Sequence, residues 1–347
     1  MKDVAKHANV AIGTVDRVLN HTGYVSDEKI QAVMSAVEYL GYVPNRAASA
    51  LSKQKNLTIC ILYPDVESYF WDMIHKGIKR AERRYGPYGL KVIIKHSESY
   101  DFHAQKIFLE SMADENDFDG LALVPLHPTM LNPIINRLHD NGIPVVTFDS
   151  DAPTSKRFCF IGEDSLKGGK IAGKLLGLFM GKKGKIAVLR GQANLLAIQQ
   201  RITGFLEVIG GQFPEIEVVQ FYDMYENNLQ PGGKISHIID DIVKNSCVDG
   251  IFVTNILVGD VGRTIFERNI ANIPIVGFDY SYEIDSLIRN NTISAVVSTD
   301  LENLGYLIVK TLYDYIAKET HVDHPEKHLI SEFEIKIRES VEDNLLI

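Results

Sequence analysis

Two places in this chain hold residue types whose spacing could do chemistry. Between Ala11 and Leu19, at 100° per residue, Ile12, Gly13, Asp16 and Arg17 share one arc while Thr14, Val15 and Val18 share the opposite one. A helix sorted in this way packs on one side and leaves backbone, Thr14 and Arg17 free to read a groove of duplex DNA. The second place is a set of polar residues at the ends of apolar runs. Asp149 follows Val145–Phe148, Asp279 follows Ile275–Phe278, and Asn255 closes the run from Gly250. Carboxylates and an amide converging from strand ends could take the hydroxyls of a polar ligand. Either Asp alone has a plainer reading, as the cap of a following turn.

The elements around the first place are three short helices. Lys2 to Ala8 puts Val4, Ala5 and Ala8 on one face, and Asn9-Val10 is the turn that stops it, Asn being tolerant of the left-handed backbone. Ser26 can cap a third helix, with Asp27 and Glu28 at its positive end and Ile30, Val33, Met34, Val37 and Leu40 at helical spacing up to Gly41. Pro44 cannot continue a helix, and Asn45 can cap a new one through Arg46 to Leu51 that is too short to be stable alone.

Lys2-Asp3-Val4-Ala5, Thr14 to Asn20, Val25-Ser26, Leu40 to Asn45 and Ala48 to Leu51, in this order, resemble the headpiece of the lactose/galactose repressor (LacI/GalR) family. The resemblance implies DNA contacts from Ile12, Gly13, Thr14, Asp16, Arg17 and Asn20. It also implies a hinge helix contributing Asn45, Arg46, Ala48 and Leu51, with Leu51 as an apolar wedge in the minor groove and Ala47 and Ala50 small enough for two copies to pair. Ala11 stands where the family has Ser or Thr, which removes a side-chain cap and costs about 1 kcal/mol. Gly13 offers no side chain at a base-reading position, and Asp16 replaces a usual Ser, either accepting from a cytosine amino group or being repelled by phosphate.

From Leu57 the pattern changes to buried strands alternating with helices. Runs at 57–63, 90–95, 120–124 and 145–149 are separated by helices, and the unit repeats from Cys159 to Asp279 with strands at 185–189, 218–222, 250–254 and 275–278. Continuous apolar strands between helices predict doubly wound parallel sheets. The expected fold is therefore α/β. A helix-turn-helix headpiece (1–44) and a hinge helix with linker (45–56) precede a body (57–347) of two lobes, 57–158 with 299–325 and 159–298 with 326–347. The body resembles the type I periplasmic-binding-protein fold that serves this family as its sensor, and Glu334 to Ser340 looks like its last strand. By that resemblance Phe70 and Trp71 stack on a sugar face, and Arg201, three residues before Gly204, joins Asp149, Asn255, Asp279 and Thr299 around an effector. Arg201 as a surface ion pair and Phe70 and Trp71 as ordinary core are the bland alternatives. Ser68-Tyr69, Ile256 and Thr299 depart from the family's Asn-Pro, Asp and Gln, so the ligand's identity does not follow.

Composition bounds the remainder. At 347 residues, 45% hydrophobic and 23% charged, the chain is long enough for several globular domains and holds no apolar run of membrane-span length. The amino terminus begins in a polar helix without a secretory pattern, so a cytoplasmic protein is expected. Residues 1–55 hold seven Lys/Arg against five Asp/Glu, while the whole chain carries −9, so only the front end suits a polyanion and the remainder carries −11. Cys60, Cys159 and Cys247 are too far apart for a zinc frame and read as core residues. Gly181-Lys182-Lys183-Gly184-Lys185 lacks the spacing of a phosphate loop and reads as a basic turn. His321, His324 and His328 straddle Pro325 and read as a solvated loop. No catalytic set, cofactor or metal is expected. The expectation is a repressor that binds a near-palindromic DNA operator as a homodimer under control of a small polar effector, a sugar or sugar derivative. The rivals are a solute-binding protein of a transport system and a sugar-acting enzyme with Asp149 or Asp279 as base.

Overall fold

A computed structural model describes residues 2–20, 25–40, 56–66, 68–98, 100–115, 117–225, 234–246, 248–270, 273–317 and 328–341. The expected hinge residues Asn45, Arg46, Ala48 and Leu51, and His321, His324 and Cys247, lie outside these. The chain divides into two compact units, with residues 57–84 and 90–347 in the larger.

The amino-terminal unit has helices α1 (Lys2–His7), α2 (Ile12–Asn20) and α3 (Asp27–Tyr39). Asn9 takes the left-handed backbone (φ 50°) that its turn requires. Val4, Ala5, Val15, Val18, Val33 and Ala36 form the core, and His7 stacks on Tyr39 with ring centroids 4.7 Å apart. The apolar arc of α2 therefore packs as its spacing predicts, and Gly13 and Arg17 are exposed, as is Ile12 (48%). Two expectations for α3 fail. Ile30, Met34 and Leu40 are exposed, because the three short helices described in this unit enclose only the narrow stripe of Val33, Ala36 and Val37. Ser26 holds the N-cap position, yet its side chain makes no capping bond.

The body is two six-stranded sheets of matching order. The first runs β2 (Leu90–Ser97), β1 (Leu57–Pro64), β3 (Gly120–Leu123), β4 (Val145–Phe148), β5 (Cys159–Gly162), β11 (His328–Ile330), all parallel. The second runs β7 (Glu215–Asp223), β6 (Lys183–Arg190), β8 (Gly250–Val253), β9 (Ile275–Phe278), β10 (Ala295–Ser298), β12 (Glu334–Lys336), parallel except for β12. Ile59 pairs with Gly120 and Ile186 with Gly250 where each strand order reverses. Strands β1, β3, β4 and β5 are buried almost throughout, as runs covered by helices on both faces must be.

The lobe crossings differ from those expected. Cys159–Gly162 pairs with β4, so the chain leaves the first lobe after 162 and not at 158. His328–Ile330 pairs with β5 in the first lobe, so the last crossing falls at 331–333 and His328 sits in a strand. Both strands are too short to show a period, and tertiary pairing alone assigns them. The expected strand 334–340 ends at Lys336 and continues as a 3-10 turn at Arg338–Ser340.

Each lobe is braced by one close helix crossing. In the first, α4 (Tyr69–Tyr85) meets α12 (Leu301–Ala317), and a Cβ on Gly77 or Gly305 would strike the facing backbone carbonyl of Glu302 or Ile74. In the second, α7 (Ser165–Phe179) meets α8 (Leu196–Gln212), where Gly169 faces Arg201 O and Gly204 faces Leu166 O.

A candidate ligand cavity between the two lobes

Ligands of doubly wound sheets bind beyond the carboxyl ends of the strands, where the strand order reverses. There the structure has a cavity with an empty space of about 520 Å³ measured out to its open mouth. From the first lobe, Phe70 and Trp71 enter on the first turn of α4, Tyr100 from the connection after β2, and Asp149 from the end of β4. From the second come Gln192, Arg201 on α8, Tyr225 after β7, Asn255 after β8 and Asp279 after β9. Six of the seven expected residues thus meet. Thr299 is not among the lining residues; it follows β10, two strands beyond the reversal point on the far side of β9.

Asp149 and Asp279 occupy equivalent points in the two lobes, and both take positive φ (61° and 71°). Neither caps a helix: Ser281 caps α11 (Tyr282–Arg289), and the turn after Asp149 is held by its neighbour Asp151. Asp151 accepts from Thr147 Oγ1 (2.6 Å) and forms a buried two-point pair with Arg157, with Nε at 2.5 Å and Nη2 at 2.7 Å. That pair fixes the backbone on which Asp149 sits.

Arg201 is buried, which excludes a surface ion pair. Its Nε donates to Glu163 Oε1 at 2.8 Å, its Nη1 donates to Thr254 O at 2.7 Å, and its guanidinium lies 3.9 Å from the centroid of Phe278. Burial opposes its charge, but Glu163, Asp279 and Asp149 outweigh burial and hold the guanidinium above its ordinary pKa. Burial pushes the Asp149 carboxyl up to about 7, Arg201 acting against the rise and Asp279 and Glu163 adding to it. Burial likewise brings Asp279 to about 6, opposed by Arg201, increased by Glu163 and opposed by a bond from the Ile256 backbone. Asp149 keeps part of its surface towards the cavity, while protein surrounds it on its other sides.

The aromatic wall differs from a pair of parallel plates. Trp71 stacks on Tyr63 (4.8 Å, 13°) and meets Phe70 at 89°, so only one of the two can lie flat on a given ring. Burial holds the Tyr100 hydroxyl well above its ordinary pKa, and Tyr225 and Asp149 add to the rise while the Trp71 indole acts against it. Burial carries Tyr225 up to about 12, against a bond with Asn255. Two aromatic pairs join the lobes, Tyr100 with Tyr225 (5.6 Å) and Tyr69 with Tyr282 (6.1 Å). Gly191 leaves room for Asn255, since a Cβ there would stand 2.5 Å from its Nδ2. The Gln192 side-chain amide is buried, and its Nε2 has no acceptor among the described residues.

Tyr100, Gln192 and Tyr225 were not expected from the sequence. Each stands two or three residues beyond the end of a strand, and that offset was the available signal. Among the described residues no group of His, Cys, Asp and Glu is placed to hold a metal ion, and no helix is long and apolar enough to cross a membrane. Cys60 and Cys159 are buried.

Two matching lobes enclose a mixed aromatic and charged cavity across their strand ends. The chain belongs to the periplasmic binding protein domain family, which it matches over residues 59–320, and its residues 1–45 match the bacterial regulatory proteins of the lacI family. It is 28% identical over 223 residues to the ribose operon repressor of Bacillus subtilis, an alignment spanning 63% of each chain. It is 25% identical over 342 residues to the sucrose operon repressor of Streptococcus mutans, covering 95% of this chain and 96% of that one. A glucose-galactose binding protein from Geobacillus stearothermophilus shares the body's fold, with TM-score 0.72 and 22% identity over 83% of this chain and 99% of that one.

Proposed function

We propose that this protein is a transcriptional repressor of the LacI type whose operator affinity is set by a small polar effector, a sugar or sugar derivative, bound between the lobes. The observation that carries the reading is the cavity itself. Phe70, Trp71 and Asp149 of one lobe and Arg201, Asn255 and Asp279 of the other line one space, so a ligand there touches both lobes at once. The relatives named above are repressors of sugar operons, which supports both halves of the proposal.

In this reading residues 1–44 bind DNA, 45–56 form the hinge, and 57–347 sense the effector and dimerise in the cytoplasm. Ile12, Gly13, Thr14 and Arg17 reach the major groove with Asp16 and Asn20 on the same helix, and Asn45, Arg46, Ala48 and Leu51 act in the minor groove. Two copies of the chain call for a near-palindromic operator. Effector and operator then alter each other's affinity reciprocally, and release by ligand is the expected sense. A solute-binding protein shares the body, but residues 1–45 match the lacI family and have no use in transport. The reading assigns the two carboxylates to binding and not to catalysis.

The test is a mobility shift on duplex DNA from the protein's own promoter region, at several salt concentrations and with candidate sugars. Retardation that survives bulk genomic competitor and is relieved by a sugar supports the proposal. Equal affinity for promoter and random duplex in every condition refutes it.

A further inference from the structure

We propose that Gln192 is a specificity-determining residue of the effector site, its side-chain amide placed to donate to an oxygen of the sugar. This rests on the cavity being the effector site.

Two glutamines are buried among the described residues, and they differ. Gln105, on α5 (Phe102–Glu115), is structural: its Nε2 donates to Val124 O at 2.7 Å and its Oε1 accepts from Leu126 N at 3.0 Å. Gln192 is 7% exposed, yet its Nε2 is enclosed without an acceptor among the described residues. An enclosed donor left unpaired destabilises the fold, so folding alone gives no reason to keep one. A methionine of similar length would fill the same space without that cost.

The backbone around Gln192, in contrast, is fully engaged. Arg190 O at the end of β6 accepts from Met224 N (3.0 Å), Gly191 N donates to Thr254 Oγ1 (2.8 Å), and Gln192 O accepts from Leu195 N (3.0 Å). Thr254 also ties down Arg201, whose Nη1 donates to its carbonyl. One residue beyond β8 thus fixes both the Gln192 turn and the Arg201 side chain. A side chain on so fixed a backbone is placed for a partner that arrives in the cavity it lines.

The other groups of the cavity define that partner. Asp149 and Asp279, when ionised, only accept, so a hydroxyl that donates to either keeps its own oxygen lone pairs open. Arg201 has committed Nε to Glu163 and Nη1 to Thr254 O. Gln192 adds a neutral donor on the second lobe, and rotation about its last side-chain bond turns Nε2 towards the cavity. A neutral amide suits a hydroxyl or ring oxygen and brings no charge to hold a phosphate or a carboxylate.

The test uses the full-length protein without and with sugars. Ligand-free, Gln192→Met should melt at or above the wild type and Gln192→Ala, which adds no bulk, within about 2 °C of it, whereas Gln105→Met should melt lower by about 4 °C or more. A fall in both Gln192 variants as large as that of Gln105→Met shows that the amide already has a structural partner and overturns the proposal. D-ribose, D-glucose and D-galactose are then titrated calorimetrically beside their single-deoxy analogues. The wild type should bind at least one analogue more than about tenfold more weakly than its parent, and Gln192→Met should weaken that parent by about the same factor while changing the analogue by less than about threefold. Discrimination that survives Gln192→Met for every analogue overturns the role of Gln192 and leaves the effector-site reading standing. No heat from any of the three sugars with the wild type overturns both for these sugars.

Discussion

Arg201→Met tests whether the buried Arg201–Glu163 pair organises the cavity. The substitution keeps a long side chain over Phe278 but leaves Glu163 charged at 8% side-chain exposure and removes the donor bonded to Thr254 O at 2.7 Å. Removing one partner of a buried pair costs roughly 3–5 kcal/mol, most of it from the stranded charge. For a domain of this size each kcal/mol lowers the melting temperature by about 2–4 °C, so the body should melt roughly 6–20 °C lower. Adding Glu163→Gln removes the stranded charge and should recover about half of that loss or more, a coupling that a double-mutant cycle reads directly. The assay is calorimetric melting of the wild type, both single variants and the double variant at about pH 7. If Arg201→Met melts within a degree or two of the wild type, or if the losses in the double variant simply add, the pair does not brace the site.

Three further outcomes follow from the same geometry. Gly169→Ala should destabilise the protein and weaken effector binding, although Ala is worth about 1 kcal/mol more than Gly in a helix; its Cβ would strike Arg201 O, forcing α7 and α8 apart, and a raised melting temperature would refute the close crossing. Asp149 and Asp279 have folded pKa values near 7 and 6 against an ordinary 3.8, so their contribution to stability is complete below about 4 and is lost as pH rises through those two values. The ligand-free body should therefore melt higher at about pH 5 than at about pH 8, and Asp149→Asn should flatten the difference; melting that rises across this window contradicts the assignment. Arg17→Ala should lower operator affinity far more than affinity for random duplex, and equal losses on the two would remove Arg17 from base reading.

The features legible in the sequence were those with a period or a boundary. Apolar runs announced β4, β8 and β9 almost to the residue, and the polar residues just after these runs were Asp149, Asn255 and Asp279. Arg201, Phe70 and Trp71 came from the family resemblance, because nothing in their local spacing separates them from core or surface. Tyr100, Gln192 and Tyr225 sit on irregular backbone placed only by tertiary folding, so helical or strand periodicity could not reach them. The exposed Ile30 and Met34 show the opposite failure, a proper helical stripe in a unit too small to cover it. Thr299 shows that a position beyond a strand end is insufficient, because its strand lies away from the reversal point.

How a ligand could bias the body follows from where the two carboxylates stand. Asp149 belongs to the first sheet and Asp279 to the second, so their separation depends on the angle between the lobes. Burial raises Asp149 first, and the charge of Asp279 adds to the rise. With both groups ionised, approach of the two strand ends is opposed by repulsion between carboxylates in a poorly screened space; ligand donors bonded to both offset that repulsion. The aromatic pairs Tyr100–Tyr225 and Tyr69–Tyr282 cross the same divide without charge and supply contact between the lobes. A ligand shifts a conformational equilibrium only by its differential affinity for the two states. In this cavity a ligand bonded to Asp149 and Asp279 together has such a difference, because it touches both lobes, and a group touching one lobe lacks it.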